Sequence, residues 1–232
     1  MDRFRSPGLG RGGFALTELL VTMVALAVVA GGLMTMLTTS QRHYMTGAGQ
    51  IEAQQNVRVA LDRMLRDIRE AGYNPTLAPA FPAIVSVAGG NALPTATAFM
   101  IQNDWNGNGV PDNAAVCLPG GAPPAGAPPT CPPGTTLRGE QIRYAINGAR
   151  LTRQESGVDA VPQAIVGGLT LAGIPQPFQY LNQGVMPPAP PAVGSDITTV
   201  ILTLQAVSET SASGTPGHVV VRMNDSIRLR NK

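Results

Sequence analysis

Leu19 to Gln41 is a run of 23 residues without a single charge, rich in Leu, Val, Ala and Met. As a helix it rises roughly 34 Å, enough to cross the hydrocarbon core of a bilayer. Ahead of it, residues 1–13 hold three arginines (Arg3, Arg5, Arg11) and one acid, Asp2. The excess of positive charge keeps that end cytoplasmic and sends the rest of the chain across the membrane. An ordinary secretory signal would be shorter and would carry a small-residue cleavage site after the apolar run. Here the distinctive residues lie before it.

Composition changes sharply along the chain. After the uncharged run, residues 42–72 hold nine charges, and 20 of the 21 prolines come after Gly72. The order is therefore leader, apolar segment, charged helix and Pro/Gly-rich body. The net charge of +2, with only 13% charged residues, lacks the basic stripe of a nucleic-acid binder.

The leader ends in Gly12-Gly13-Phe14-Ala15-Leu16-Thr17-Glu18-Leu19: glycine, a large apolar residue, and one carboxylate five places into an apolar helix. This resembles the signal of type IV prepilins and type II secretion pseudopilins. The resemblance implies cleavage between Gly13 and Phe14 by prepilin peptidase on the cytoplasmic face, then N-methylation of Phe14. It also implies that Glu18 pairs with the Phe14 amine of a neighbouring subunit. Apart from any family, a carboxylate inside a membrane helix is costly and marks function. Gly8-Leu9-Gly10-Arg11-Gly12-Gly13 mimics a phosphate-binding loop, but no strand precedes it and a membrane helix follows.

No proline interrupts Phe14 to Tyr73, so one helix is expected over 14–72, with its membrane segment at about 19–41. Val57, Leu61, Met64 and Ile68 share one face of the later half. Arg58/Asp62, Asp62/Arg66, Arg63/Asp67 and Arg66/Glu70 stand at i,i+4 and read as a solvated charged face. Gly72 is a natural cap and Pro75 stops continuation.

The exported body, 73–232, reads as strands. Ala96–Ile101 is short and apolar. Gln141–Ile146 and Ala149–Gln154 flank Asn147-Gly148, a strong hairpin signal. Ile197–Val207 puts Val200, Leu202, Leu204 and Ala206 on one face, and Val219–Met223 and Ser226–Leu229 read as two closing strands. The class is α+β: one long N-terminal helix, half membrane and half amphipathic, on an antiparallel sheet.

Several stretches together resemble the PilW-type minor pilins. They are Asp67-Ile68-Arg69-Glu70-Ala71-Gly72-Tyr73, Thr97–Ile101 with Asp104-Trp105-Asn106-Gly107-Asn108-Gly109, Glu140–Tyr144 with Leu151-Thr152-Arg153, and Ser226–Asn231. The resemblance implies a pilin-like fold and a minor pilin that helps initiate or cap a type IV pilus. Its partners would be prepilin peptidase, other minor pilins, the major pilin and the inner membrane. Two alternatives remain open: a GspJ-type pseudopilin of type II secretion, and an anchored, calcium-dependent binding module that never polymerises.

The chain departs from that pattern between Val116 and Arg138, which hold seven prolines and both cysteines. In an exported body, Cys117 and Cys131 are expected to pair, making 117–133 a Pro-rich disulfide loop. Closing it contributes on the order of 3 kcal/mol in the chain-entropy account. Asp104, Asn106, Asn108, Gly109 and Asp112 copy positions 1, 3, 5, 6 and 9 of a calcium loop, but Ala115 occupies position 12, where a bidentate acid belongs. A polar Asn-Gly turn is the other reading, and Glu140 would supply the acid only if the insertion folded away. The two histidines, His43 and His218, sit in no catalytic or metal pattern, and no nucleophile elbow or Walker loop is present, so no enzyme is expected.

Overall fold

A computed structural model of the chain describes residues 16–76, 80–119, 131–183, 190–208 and 219–230. The leader, Gly13, Phe14 and His218 lie outside the described residues. Two compact units are present, 1–45 and 46–232. The helix α1, Leu16–Glu70, begins in the first and ends in the second.

Within the first unit every described side chain of α1 is exposed, from Leu16 to Met45. Its apolar window has a mean hydropathy of 2.3, long and apolar enough to span a membrane. Thr22, Thr35 and Thr39 donate their hydroxyls to the carbonyls of Leu19, Gly32 and Thr35 (each 2.8 Å). No hydroxyl among these three demands water, as an apolar surrounding requires.

In the second unit α1 becomes one-sided. Ala53, Val57, Ala60, Leu61, Met64 and Ile68 are buried in a core shared with the sheets, as their spacing predicts. Gly72 ends the helix at φ +76°, a conformation glycine adopts without a Cβ penalty, and its N–H donates to the Gln102 carbonyl (2.8 Å).

Ten strands follow among the described residues: β1 Ile84–Val85, β2 Ala98–Gln102, β3 Ala115–Leu118, β4 Thr136–Gly139, β5 Gln141–Asn147, β6 Arg150–Glu155, β7 Gln163–Val166, β8 Phe178–Leu181, β9 Thr199–Val207 and β10 Val220–Arg228. All pairings are antiparallel. The sheets run β1-β2-β5-β6-β7, β10-β9-β8 and β3-β4. The α+β expectation therefore holds, and the Asn147-Gly148 hairpin joins β5 to β6. Phe99 sits at the centre of the core, stacked on Tyr144 (5.3 Å between centroids) and edge-on to Phe178 (5.0 Å).

One expectation is corrected. The two closing strands are a single strand, β10, whose register with β9 runs unbroken from Val220↔Val207 to Arg228↔Thr199. Asn224 and Asp225, poor strand formers, are carried by cross-strand pairing with Thr203 and Leu202.

Candidate functional site

Glu18 lies in the first turn of α1 with its side chain exposed among apolar neighbours. The helix N-terminus is a favourable place for a carboxylate. Its expected partner, the Phe14 amine, lies outside the described residues, as does Gly13.

The second half of α1 is fixed by a buried charge network. Asp67, on the core side of the helix, is only 6% exposed. Tyr144 Oη and Arg153 Nε both donate to its Oδ2, at 2.7 and 2.8 Å, while Arg63 stands 3.8 Å away. Arg153 also donates to Glu155 Oε2 (2.7 Å), and Glu155 accepts the Gly139 N–H (2.7 Å) and faces Arg138 Nε (3.3 Å). Arg138 closes the belt on Glu70 (2.7 Å). Burial alone would lower the Arg153 pKa, but the charge of Asp67, its hydrogen bond and Glu155 together hold it above the usual value. The Tyr144 phenol is raised by burial first and by Asp67 second. Removing either side of such a pair strands a buried charge.

This corrects the solvated-face reading at Asp67, while Arg58, Asp62, Arg66 and Glu70 are exposed as that reading expects. Arg63/Asp67 is the one expected i,i+4 pair that meets as an ion pair among the described residues, and Asp67 points inward. Arg66 instead donates to the Asp62 backbone carbonyl (3.2 Å).

The loop after β2 closes on Glu140. Asp104 and Glu140 are both fully buried. Asp104 accepts N–H bonds from Gly107 (2.7 Å), Asn108 (3.1 Å) and Gly109 (2.8 Å). Asn106 and Asn108 accept from Asn108 and Val110 (both 2.8 Å), and Asp112 from Ala114 (2.6 Å). Glu140 spans the loop, taking the N–H of Asn106 on Oε1 (3.0 Å) and of Asp112 on Oε2 (3.1 Å). Burial raises its pKa; the two N–H bonds oppose that, and the charges of Asp112 and Asp104 add to it. The geometry is a polar turn whose acceptors are satisfied by its own backbone. Among the described residues no three His, Cys, Asp or Glu side chains group closely enough to hold a metal ion.

Beside this loop Trp105 stacks on Tyr73 (4.7 Å), and the Arg138 guanidinium lies 5.1 Å from its ring centre. Arg138 thereby joins the loop to the charge belt. Gly139, next to Glu140, lies so close to the Ser156 carbonyl that a Cβ there would collide with it.

Cys117 and Cys131 form a disulfide, as expected from an exported pair. It ties β3 to the residues before β4, reinforcing the two-stranded pairing of β3 with β4.

These features define a class: an α+β protein with one N-terminal helix compatible with single-pass membrane anchoring, and a body held by a helix-to-sheet charge belt and one disulfide. No family model matches the chain, nor does any curated protein or solved structure.

Proposed function

We propose that this chain is a minor pilin, a structural subunit that helps initiate or cap a type IV pilus. The observation that carries this is the contrast along α1: a first half whose apolar side chains are all exposed, with one carboxylate in its first turn, and a second half locked into a body. The prepilin-like Gly13-Phe14 and the register of Glu18 supply the chemistry. Prepilin peptidase removes 1–13 and methylates the Phe14 amine. The precursor sits in the inner membrane with its N-terminus cytoplasmic and its body exported. On extraction into a bundle with other pilins, Glu18 loses access to interfacial water, and the Phe14 amine of a neighbour neutralises it.

The test compares wild type with Glu18→Ala for co-purification with other pilin subunits at equal membrane levels. Reduced recovery with intact cleavage and folding is expected; equal recovery sinks the reading. Gly13→Leu should leave an uncut membrane precursor, and a mature chain beginning at Phe14 in that variant would refute the processing step.

A second reading attaches to the loop. Glu140 reaches the loop through the N–H groups of Asn106 and Asp112, so it is the acid that would complete a calcium set with Asp104, Asn106, Asn108 and Asp112, and an ion there would have to displace the N–H bonds these oxygens accept. Trp105, the chain's single tryptophan, adjoins Asp104 and would sensitise terbium luminescence at such a site. Luminescence displaced by calcium and absent in Asp104→Ala supports it. No signal at millimolar ion leaves a polar turn.

A further inference from the structure

We propose that β10 is a strand-addition site for an extended segment of another subunit, one that carries acidic residues on the side facing Arg222 and Arg228. The inference rests on the assembly reading only for the source of that segment. The strand itself supplies the grounds.

Four strands lie at sheet edges in the two larger sheets, and three are short. β1 has two residues, β7 has four and lies beside an irregularity in its pairing with β6, and β8 has four and is tied to Ala96 by the Phe178 N–H (3.0 Å). β10 has nine residues, no proline and no register shift. Proteins ordinarily keep exposed edges short, bulged or covered, because a long regular edge is a template for another strand. Among the described residues no strand pairs with the far edge of β10.

Register shows which groups face outward. Thr203 N–H donates to Pro177, Val207 N–H to Gly168, and the Gln205 carbonyl accepts from Thr170. Odd-numbered residues of β9 thus face β8, and even-numbered ones face β10. Their partners, Val221, Met223, Asp225 and Ile227, use their backbone groups inward. Val220, Arg222, Asn224, Ser226 and Arg228 turn N–H and C=O to the open edge. Of these five N–H groups, that of Ser226 is capped by Asp225 Oδ1 (2.7 Å).

The side chains select the partner. Val221 and Ile227 pack toward the core, so the even-numbered side chains form the outer face. That face holds Arg222 and Arg228 and no acid. Antiparallel pairing with a second copy would set Arg222 diagonal to the other Arg228 if centred on Asn224, or opposite it if centred between Asn224 and Ser226. Like charges so placed disfavour the self-pair. An incoming strand with acids at the matching positions gains backbone bonds and charge complementarity together, the usual division between affinity and specificity in strand addition.

The experiment uses the full chain in detergent micelles and two fluorescein-labelled peptides, one alternating Glu with Val and one alternating Lys with Val. The Glu peptide should bind saturably, slow amide exchange at Arg222, Asn224 and Arg228, and bind at least ten-fold more tightly than the Lys peptide. Asn224→Pro removes an outward N–H without touching the β9 ladder, and should abolish binding while the melting curve stays in place. If that variant fails to fold, Arg222→Glu with Arg228→Glu should reverse the preference to the Lys peptide. Equal binding of both peptides, no binding at millimolar concentration, or a dimer in sedimentation that survives the double reversal would each overturn the proposal. Because the peptides need no filament, failure here is separable from failure of the Glu18 test.

Discussion

The two halves of α1 are one uninterrupted helix with opposite economies of surface. Leu26 is 72% exposed and Leu61 is 5% exposed, though both are leucines in regular helix. From Leu16 to Met45 the apolar residues surround the helix; from Ala53 to Ile68 all but the exposed Val59 keep to one buried stripe, and polar and charged residues take the rest. A helix apolar all round needs an apolar environment from outside, whereas an amphipathic one can be satisfied by its own chain. Exposed leucines in the first half are thus a statement about a missing surrounding, either lipid or other helices.

Breaking the second half should cost most. Asp67→Ala leaves the buried Arg153 with Glu155 and the more distant Asp159, and Tyr144 without an acceptor, and should destabilise the body by about 3–5 kcal/mol. Leu61→Ala should cost about 2–5 kcal/mol through lost burial and the cavity left behind. Urea denaturation of the full chain in detergent, followed by Trp105 fluorescence, measures both. An Asp67→Ala protein as stable as wild type would mean the charge belt contributes nothing.

Next comes the disulfide. Replacing Cys117 and Cys131 by serine should lower stability by on the order of 3 kcal/mol if the unfolded chain is the state constrained. The loss should appear equally when the wild type is reduced, and reduction should leave the double-serine protein unchanged.

A smaller effect is pH-dependent. The Glu140 pKa is raised by burial, so the native state binds a proton more readily than the unfolded chain. Its contribution is greatest below the unfolded value near 4.5 and is lost as pH rises through the raised native value. Relative to Glu140→Gln, wild type should therefore gain melting temperature as pH falls from ~7 to ~5. A difference curve flat across that range would place Glu140 in water.

How far the sequence foretold these features follows the distance between partners. Val57, Leu61, Met64 and Ile68 announce their face because helical period is local, and Asn147-Gly148 announces its hairpin for the same reason. The cysteines are 14 apart, and the expectation that the body is exported made their pairing legible. Asp67 reads as solvated from sequence because its i,i+4 partner Arg63 is local, whereas Tyr144 and Arg153 are 77 and 86 residues away. Glu140 reaches the loop across 28 and 34 residues. The usable signal was that Glu140, Tyr144 and Arg153 already stood in ordered motifs, but sequence order does not say which acid an arginine meets. β10 was split in two because Asn224 and Asp225 disfavour strands locally, while nine pairings with β9 decide the matter.

The smallest expected effect is the sharpest test of the contrast within α1. Leu26→Ala removes as many carbons as Leu61→Ala, from the same helix. In the first half, however, the side chain has no neighbour in its own chain to lose, as its 72% exposure states. Lipid or detergent is as apolar as leucine, so truncation there leaves no cavity in a packed core. The body should keep its urea midpoint within about 0.5 kcal/mol of wild type, the range of substitutions that break no internal contact. If the chain is a pilin subunit as proposed, the cost should instead surface in assembly, as reduced co-purification with pilin subunits. A Leu26→Ala chain with a weakened body would mean that the first half is held by the second and not by an outside partner. One with a normal body and normal assembly would leave lipid as the only surrounding this half requires.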